Sequence, residues 1–327
     1  MNQNNTSSSA PLVSVIIPCY NQSVFLAHAL TLLQQQSLGD FECLIVDDGS
    51  TDDSAQIAGR FVRSDARYRL YRKANGGTAT ARNEGLRHAT GRYVQFLDAD
   101  DALDAGKLER QVRFMEERRL DVSYTDFLHF RQEDETDEAS ITTVPHRRRS
   151  VLTTFSLRFT LLTRYGVDFS LPPIVFMYRR SFLQSHGLCF SEAIRFREDW
   201  DWILNISRLR PLRMDAMLDY VGAYYRLNPK GKTSSANKLT AGNIMYIAYK
   251  CHELRGLEFL LWAGRLSSEL VLLCGRVAKH LDPRGLGLLG PLFRGGWRPV
   301  VLFLLSLMLL PLALVQVVVR TIYEYSL

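Results

Sequence analysis

Asp98-Ala99-Asp100 places two carboxylates two residues apart. Residues two apart in an extended segment share a face, so both acid groups aim at one spot. Such a pair suits a hard divalent cation, because Mg2+ or Mn2+ takes oxygen ligands and is commonly held by one or two carboxylates plus substrate phosphates. An Asp-rich strand end also caps a following helix, so the pair gains meaning only from its surroundings. Asp48 is a second candidate: a carboxylate just past an apolar run can accept a hydrogen bond from a ring N–H of a bound base. Tyr20 can stack on that base. Gly76-Gly77 lets backbone approach a ligand closely, and Arg82 brings a permanent cation near where a diphosphate would lie. Far along the chain, Arg197-Glu198-Asp199-Trp200-Asp201-Trp202 sets adjacent carboxylates among indoles. That segment fits an acid/base residue beside an apolar or sugar-stacking platform, with indoles and partial burial raising an aspartate toward use as a base. It fits equally an acidic helix N-terminus favoured by the helix dipole.

The elements that must position these groups alternate in type. Leu12–Ile17 is a β-branched run ending at Pro18, the pattern of a buried strand. Ser23 caps a helix running to about Gln36. Phe41–Val46 is a second strand closed by Asp47-Asp48-Gly49-Ser50, and Ser50 or Thr51 caps a helix through about Val62. Tyr68–Arg72 is a third strand, Asn75-Gly76-Gly77 a turn, Thr78–His88 a helix, and Tyr93–Leu97 a fourth strand. This β-α-β-α-β-α-β order predicts a mostly parallel sheet with helices on both faces. In such a sheet ligands bind outside the carboxyl ends of the strands. The polar clusters fall there: Cys19-Tyr20-Asn21, Asp47-Asp48, Asn75-Gly76-Gly77 and Asp98/Asp100. Residues 131–150 are charged and poor in apolar residues, a solvated loop that ends in Arg147–Arg149. Phe196–Trp202 opens an apolar helix to about Leu209.

The 327 residues suffice for one large α/β domain plus an appendage. Hydrophobic residues at 46% and charged residues at 23% exclude a disordered or collagen-like chain. With Lys+Arg 40 against Asp+Glu 34 the net charge is +6, and no stretch reads as a nucleic-acid module. A mildly basic surface faces anionic lipid or diphosphate ligands equally well. The five cysteines lack any C-x-x-C spacing, with Cys43 inside a predicted strand and Cys19 just past the end of another, which points to reduced buried thiols in a cytosolic setting. Residues 1–10 read as a disordered lead-in without a signal-peptide core. At the other end, Pro299 to Val319 carries no charge. A helix apolar all round needs full burial or lipid, and a bilayer core of about 30 Å takes about 20 such residues. Pro311 would kink it, so spanning and re-entrant insertion both fit. Arg284, Arg294 and Arg298 precede it and only Arg320 follows, which assigns the large N-terminal part to the cytoplasmic face of the membrane. Residues 256–275 mix apolar side chains with Glu258, Arg265 and Glu269, an amphipathic pattern for packing on the domain or lying on a membrane surface.

Taken together, Val13-Ser14-Val15-Ile16-Ile17-Pro18-Cys19-Tyr20-Asn21, Asp47-Asp48-Gly49-Ser50-Thr51-Asp52, Ala81-Arg82-Asn83-x-Gly85, Asp98-Ala99-Asp100-Asp101 and Glu198-Asp199-Trp200 resemble the family 2 glycosyltransferases of the GT-A fold. Order and spacing both match, over about residues 11–210. The resemblance implies a GT-A-type, Rossmann-like domain over 11–235. It implies a nucleotide-sugar donor, with uridine the favoured base, held by Pro18, Tyr20, Asn21, Asp48, Gly77, Arg82 and Asp98. It implies a divalent metal, Mn2+ or Mg2+, on Asp100 with Asp98, and Asp199 as general base with Glu198 beside it. Trp200 would meet the acceptor, a glycan or lipid-linked saccharide. Transfer would invert the anomeric centre, and the absence of a Q-x-x-R-W motif favours single-sugar transfer. Residues 236–295 are then an amphipathic helical region, 296–320 a membrane segment and 321–327 a tail. The role of Arg147–Arg149 stays open, with steering of an anionic lipid-phosphate acceptor one reading.

Competing readings fare worse. A sugar-1-phosphate nucleotidyltransferase wants a Gly-rich basic loop after strand one, where Pro18-Cys19-Tyr20-Asn21 stands. A non-catalytic membrane-anchored binding module would not need every catalytic carboxylate. No G-x-G-x-x-G follows a strand, which disfavours an NAD enzyme.

Overall fold

The computed structural model describes residues 10–132, 141–144, 171–194 and 196–227, with scattered residues between 243 and 269. The chain divides into two compact units, Met1–Thr154 with Leu171–Leu227, and Phe155–Ser170 with Asn228–Leu327.

The first unit opens with β1 (Val13–Cys19), α1 (Ser23–Gln34), β2 (Phe41–Asp47), α2 (Ser54–Ser64), β3 (Tyr68–Arg72), α3 (Thr78–His88) and β4 (Tyr93–Phe96). Every residue of β1 and β2 is buried, as β-branched and apolar runs must be when a strand is covered on both faces. These strands pair in parallel in the order β3-β2-β1-β4. Right-handed crossovers then put α1 and α2 on one face and α3 on the other. The order reverses between β1 and β4, and the crevice at the carboxyl ends of those two strands is the position where such sheets bind ligands. Two glycines let α3 and the turn after it lie tight on β1. A Cβ on Gly85 would sit 2.3 Å from Ile16 Cγ2, and one on Gly91 would sit 2.5 Å from the Ser14 amide nitrogen.

Beyond β4 the sheet departs from the expected mostly parallel form. The later elements are β5 (Ala102–Leu103), α4 (Lys107–Glu117), β6 (Val122–Gln132), β7 (Ile141–Val144), β8 (Phe176–Arg179), α5 (Arg180–Ser185), α6 (Glu198–Ile206) and β9 (Met214–Arg226). β8 lies antiparallel between β4 and β6, β5 pairs antiparallel with β9, and β6 runs parallel to β9. Among the described residues half of the strand pairings are antiparallel, so the sheet is mixed. The expected charged loop at 131–150 is corrected in part: β7 pairs with the end of β6, from His129 opposite Val144 to Gln132 opposite Ile141. The run of β-branched residues Ile141-Thr142-Thr143-Val144 favours that strand. Arg147–Arg149 lie outside the described residues.

In the second unit residues 261–267 are helical. Trp262 Nε1 donates to the Ile247 carbonyl at 2.9 Å, and the Tyr246 ring meets Trp262 edge-on. Arg265 and Glu269, expected on a polar face, are buried and paired at 2.5 Å, with Asn243 Nδ2 donating to the same carboxylate at 2.7 Å. The two charges thus compensate each other in an internal ion pair. Residues 299–319 lie outside the described residues; among those described, no helix is long and apolar enough to cross a membrane. Cys19 and Cys43 are buried and free, and Cys189 is exposed and free. Burial pushes the Cys19 thiol up to about 11, an inert form.

Candidate active site at the carboxyl ends of β1, β2 and β4

Three loops are knitted together at this edge. Asn21, in the left-handed region at φ 52, receives hydrogen bonds on Oδ1 from the Thr51 amide (2.8 Å) and donates its own amide to Ser50 Oγ (3.0 Å). Asp52 accepts from the Ser23 amide at 2.9 Å and the Ser54 amide at 3.0 Å, so one carboxylate holds the first turns of both α1 and α2. Burial would raise its pKa, but these hydrogen bonds outweigh it and hold the group down at about 2. Pro18 is buried at the end of β1, and Tyr20 beyond it is 46% exposed, a ring open to stacking.

Asp48 is buried and heavily used. It accepts from Lys73 Nζ at 2.6 Å and from the amides of Gly76 and Gly77 at 3.0 and 2.7 Å. The Gly77 amide reaches it because Gly77 adopts φ 96, which an L side chain rarely allows. Lys73 carries no motif of its own in the sequence; only its place one strand over from Asp48, through the β2–β3 pairing, could have flagged it.

Arg82 joins two parts of the chain that are far apart in sequence. From α3 its Nη2 donates to Asp98 Oδ1 at 2.7 Å and its Nη1 to Glu198 Oε1 at 3.4 Å. Burial alone would lower its pKa; the charges of Asp98, Glu198 and Asp199 outweigh burial and raise it. The acids after β4 and those opening α6 therefore surround one guanidinium. The expectation of a cation open to a diphosphate is corrected: Arg82 is buried and its terminal nitrogens already hold carboxylates.

The α6 end is fixed from beneath by aromatic packing. Trp202 stacks on Phe190 at 4.2 Å, and both meet Phe96 of β4 edge-on. Asn83 pins the same segment, accepting from the Phe190 amide at 2.8 Å and donating to the Phe190 carbonyl at 2.9 Å and to Glu192 at 3.0 Å. Trp200 is fully buried, so its ring presents no face to a sugar. That corrects the acceptor-platform expectation: an indole on the face of a helix that packs against the core is buried with that face.

The acids after β4 form a crowded group. Asp98 is partly exposed, while Asp101 is buried, accepts from the Arg226 amide at 2.8 Å on Oδ1 and has no hydrogen-bond partner on Oδ2. Burial, then the charges of Asp100 and Asp98, push the Asp101 carboxyl well above the usual carboxylate range. Arg226 lies behind them, its Nε donating to the Asp100 carbonyl at 2.7 Å and its guanidinium packed over the Phe25 and Phe130 rings. Asp101 stood in the sequence only as part of the Asp98-to-Asp101 motif, and Arg226 was not singled out, because it reaches Asp100 and Asp101 only through contacts between distant parts of the chain. Clustered hard oxygen donors are what Mg2+ or Mn2+ takes as ligands. Among the described residues no group of three or more His, Cys, Asp or Glu side chains is gathered into a complete metal site. Carboxylates such as those of Asp98 and Asp100 are the donor type that such a cation takes together with ligand phosphates.

Residues 14–187 match the family model described as glycosyl transferase family 2. The uncharacterized glycosyltransferase EpsJ of Bacillus subtilis is 33% identical over 68% of this chain and 63% of its own length. The chain thus spans under two thirds of that relative. Among solved structures, S. aureus TarS 1-349 in complex with UDP-GlcNAc superposes with a TM-score of 0.61 at 20% identity, covering 89% of this chain and 83% of that one. The mannosyltransferase PcManGT from Pyrobaculum calidifontis, in complex with GDP-Man and Mn2+, gives 0.55 at 16% identity over 93% and 88%. At these identities the structures show a shared fold.

Proposed function

The chain belongs to glycosyl transferase family 2, and from that premise we propose that it moves one sugar from a nucleotide-sugar donor to a hydroxyl of a glycan or lipid-linked acceptor, in cell-surface polysaccharide or glycolipid synthesis. The observation that carries the reading is the single buried guanidinium of Arg82 shared by Asp98 and Glu198. It brings a strand-end acid suited to a donor diphosphate together with a helix-end acid pair suited to an acceptor. In this reading Tyr20 and Asp48 meet the base, and Pro18, Asn21 and Gly77 shape the loops around it. Asp98 faces the ribose and diphosphate side. Asp100 with Asp98 would hold Mn2+ or Mg2+, which would neutralise charge on the departing nucleoside diphosphate. Asp199 takes the proton of the acceptor hydroxyl as that oxygen bonds to C1 of the sugar. The C1–O bond to the diphosphate breaks in line, its electron pair leaving with the diphosphate, and the anomeric centre inverts. Glu198, tied to Arg82, fixes the first turn of α6 so that Asp199 stays aimed. A positioned base is worth about 10² to 10⁴ in rate, so placement and electrostatics must supply the rest.

The test is release of nucleoside diphosphate from a panel of nucleotide sugars, with a membrane extract as acceptor source. Metal-dependent release, lost on chelation and nearly abolished in Asp100→Asn, supports the reading. Tight donor binding without turnover of any donor would favour a non-catalytic binding module instead. We also propose that residues 299–319 attach the enzyme to the cytoplasmic membrane face. The full chain should then sediment with membranes, and one ending near Gly295 should not.

A further inference from the structure

Asp48 carries more donors than a freely available base-recognition carboxylate would. Its Oδ1 accepts from Lys73 Nζ at 2.6 Å and from the Gly76 amide at 3.0 Å, while its Oδ2 accepts from the Gly77 amide at 2.7 Å. A carboxylate oxygen offers two lone pairs. Oδ1 is therefore full, and Oδ2 keeps one position. Lys73 is fully engaged as well: its three ammonium protons go to Asp48, to the Ala74 carbonyl at 2.7 Å and to Thr80 Oγ1 at 2.9 Å. The Asp48 side chain is only 4% exposed, so a ligand meets this carboxylate through a narrow opening.

We propose that Lys73 is a specificity-determining residue of the base site: by filling Asp48 Oδ1 it leaves one acceptor, which matches a base with a single ring N–H between carbonyls, the uracil class, and rejects guanine. The inference rests on the reading that a nucleotide sugar is the donor and that Asp48 meets its base. Guanine presents N1–H and N2–H side by side, a pair that needs both oxygens of a carboxylate. Here one of those oxygens is taken, so one guanine N–H is desolvated without an acceptor. Adenine and cytosine present a ring-nitrogen acceptor beside an amino group, and a carboxylate has no proton to give them. A missing hydrogen bond to a charged group corresponds to roughly 10- to 100-fold in affinity.

The experiment is calorimetric titration of the full chain with UDP and with GDP, in Mn2+, beside turnover of UDP-sugars and GDP-sugars. UDP should bind at least about tenfold tighter than GDP. Lys73→Met should open Oδ1 and narrow that ratio by improving GDP, whereas Lys73→Arg, which keeps a donor on Asp48, should preserve it. Equal or tighter binding of GDP by the wild type, or an unchanged ratio in Lys73→Met, overturns the assignment. Preferred turnover of a GDP-sugar also overturns it, while leaving glycosyl transfer intact. Binding of neither nucleotide, with no donor consumed, removes the donor reading itself and this inference with it.

Discussion

Replacing Arg82 with methionine should damage the protein in a way its place in one short helix would not suggest. The guanidinium lies 2.7 Å from Asp98 and 3.4 Å from Glu198. At an effective dielectric near 20 those separations correspond to about 6 and about 5 kcal/mol of gross attraction. Most of that offsets the cost of burying the cation, so the pair's net worth is far smaller. Removing the cation alone, however, leaves Asp98, Glu198 and Asp199 crowded around an apolar side chain. Breaking a buried ionic cluster from one side costs about 3–5 kcal/mol. For a unit of this size that is a drop in Tm of roughly 6–20 °C. Arg82→Lys keeps a charge but loses the planar fork that reaches two carboxylates, and should lose about half as much. Differential scanning fluorimetry measures the stability, and a donor-turnover assay at a temperature where the variant is folded measures the site. Transfer should fall by at least about 100-fold, since both acid groups lose their shared anchor. A melting point within about 2 °C of wild type, with transfer unchanged, would refute the bridging role.

Three other outcomes follow from the geometry. The folded pKa of Asp52, about 2, lies below the value of about 3.9 in an unfolded chain, so the unfolded state binds the extra proton between those values. Its contribution, about 1–2 kcal/mol after solvent screening, is present above about pH 4 and disappears as pH falls toward 2. Asp52→Asn should flatten the acid limb of a stability–pH profile over that window, and an unchanged limb would count against the shared-cap role. Gly85→Ala, whose new methyl would lie 2.3 Å from Ile16, should lose about 1–3 kcal/mol or more in urea denaturation; a loss under about 0.5 kcal/mol would mean α3 can lift off β1 freely. Trp202→Ala should lose about 3–5 kcal/mol by emptying the stack on Phe190, again by denaturation, and a near-neutral effect would show that α6 is held by something else.

The first half of the sheet was readable because local pattern and fold agree there. β3 and α3 fall at Tyr68–Arg72 and Thr78–His88 as expected, and β1, β2 and β4 differ only at their ends. β1, β2 and β4 are largely apolar, buried runs closed by polar clusters, and β3 alternates polar and apolar residues, signals that need no distant partner. The later, mixed part of the sheet was not readable. β8 is inserted between β4 and β6, and β6 meets β9 about ninety residues away, for instance Val122 opposite Met214, so nothing in a local window specifies the pairing. The acids of the site were visible through their spacing. Their partners were not: Lys73 and Arg226 look like ordinary surface charges until the strands bring them to Asp48 and Asp100. Trp200 misled for a related reason. An indole beside acids reads as a platform or as core, and only the packing of α6 against β4 and Phe190 decides between them.

The central claim is that the acids opening α6 and those closing β4 work on the same reacting atoms. Its most direct measurement is steady-state transfer by Asp199→Asn alongside calorimetric binding of the nucleoside diphosphate product. The account predicts a fall in kcat of about 10² to 10⁴, with product affinity within about threefold of wild type, because a base acts on the acceptor and not on the leaving group. Full transfer activity in that variant would contradict the account.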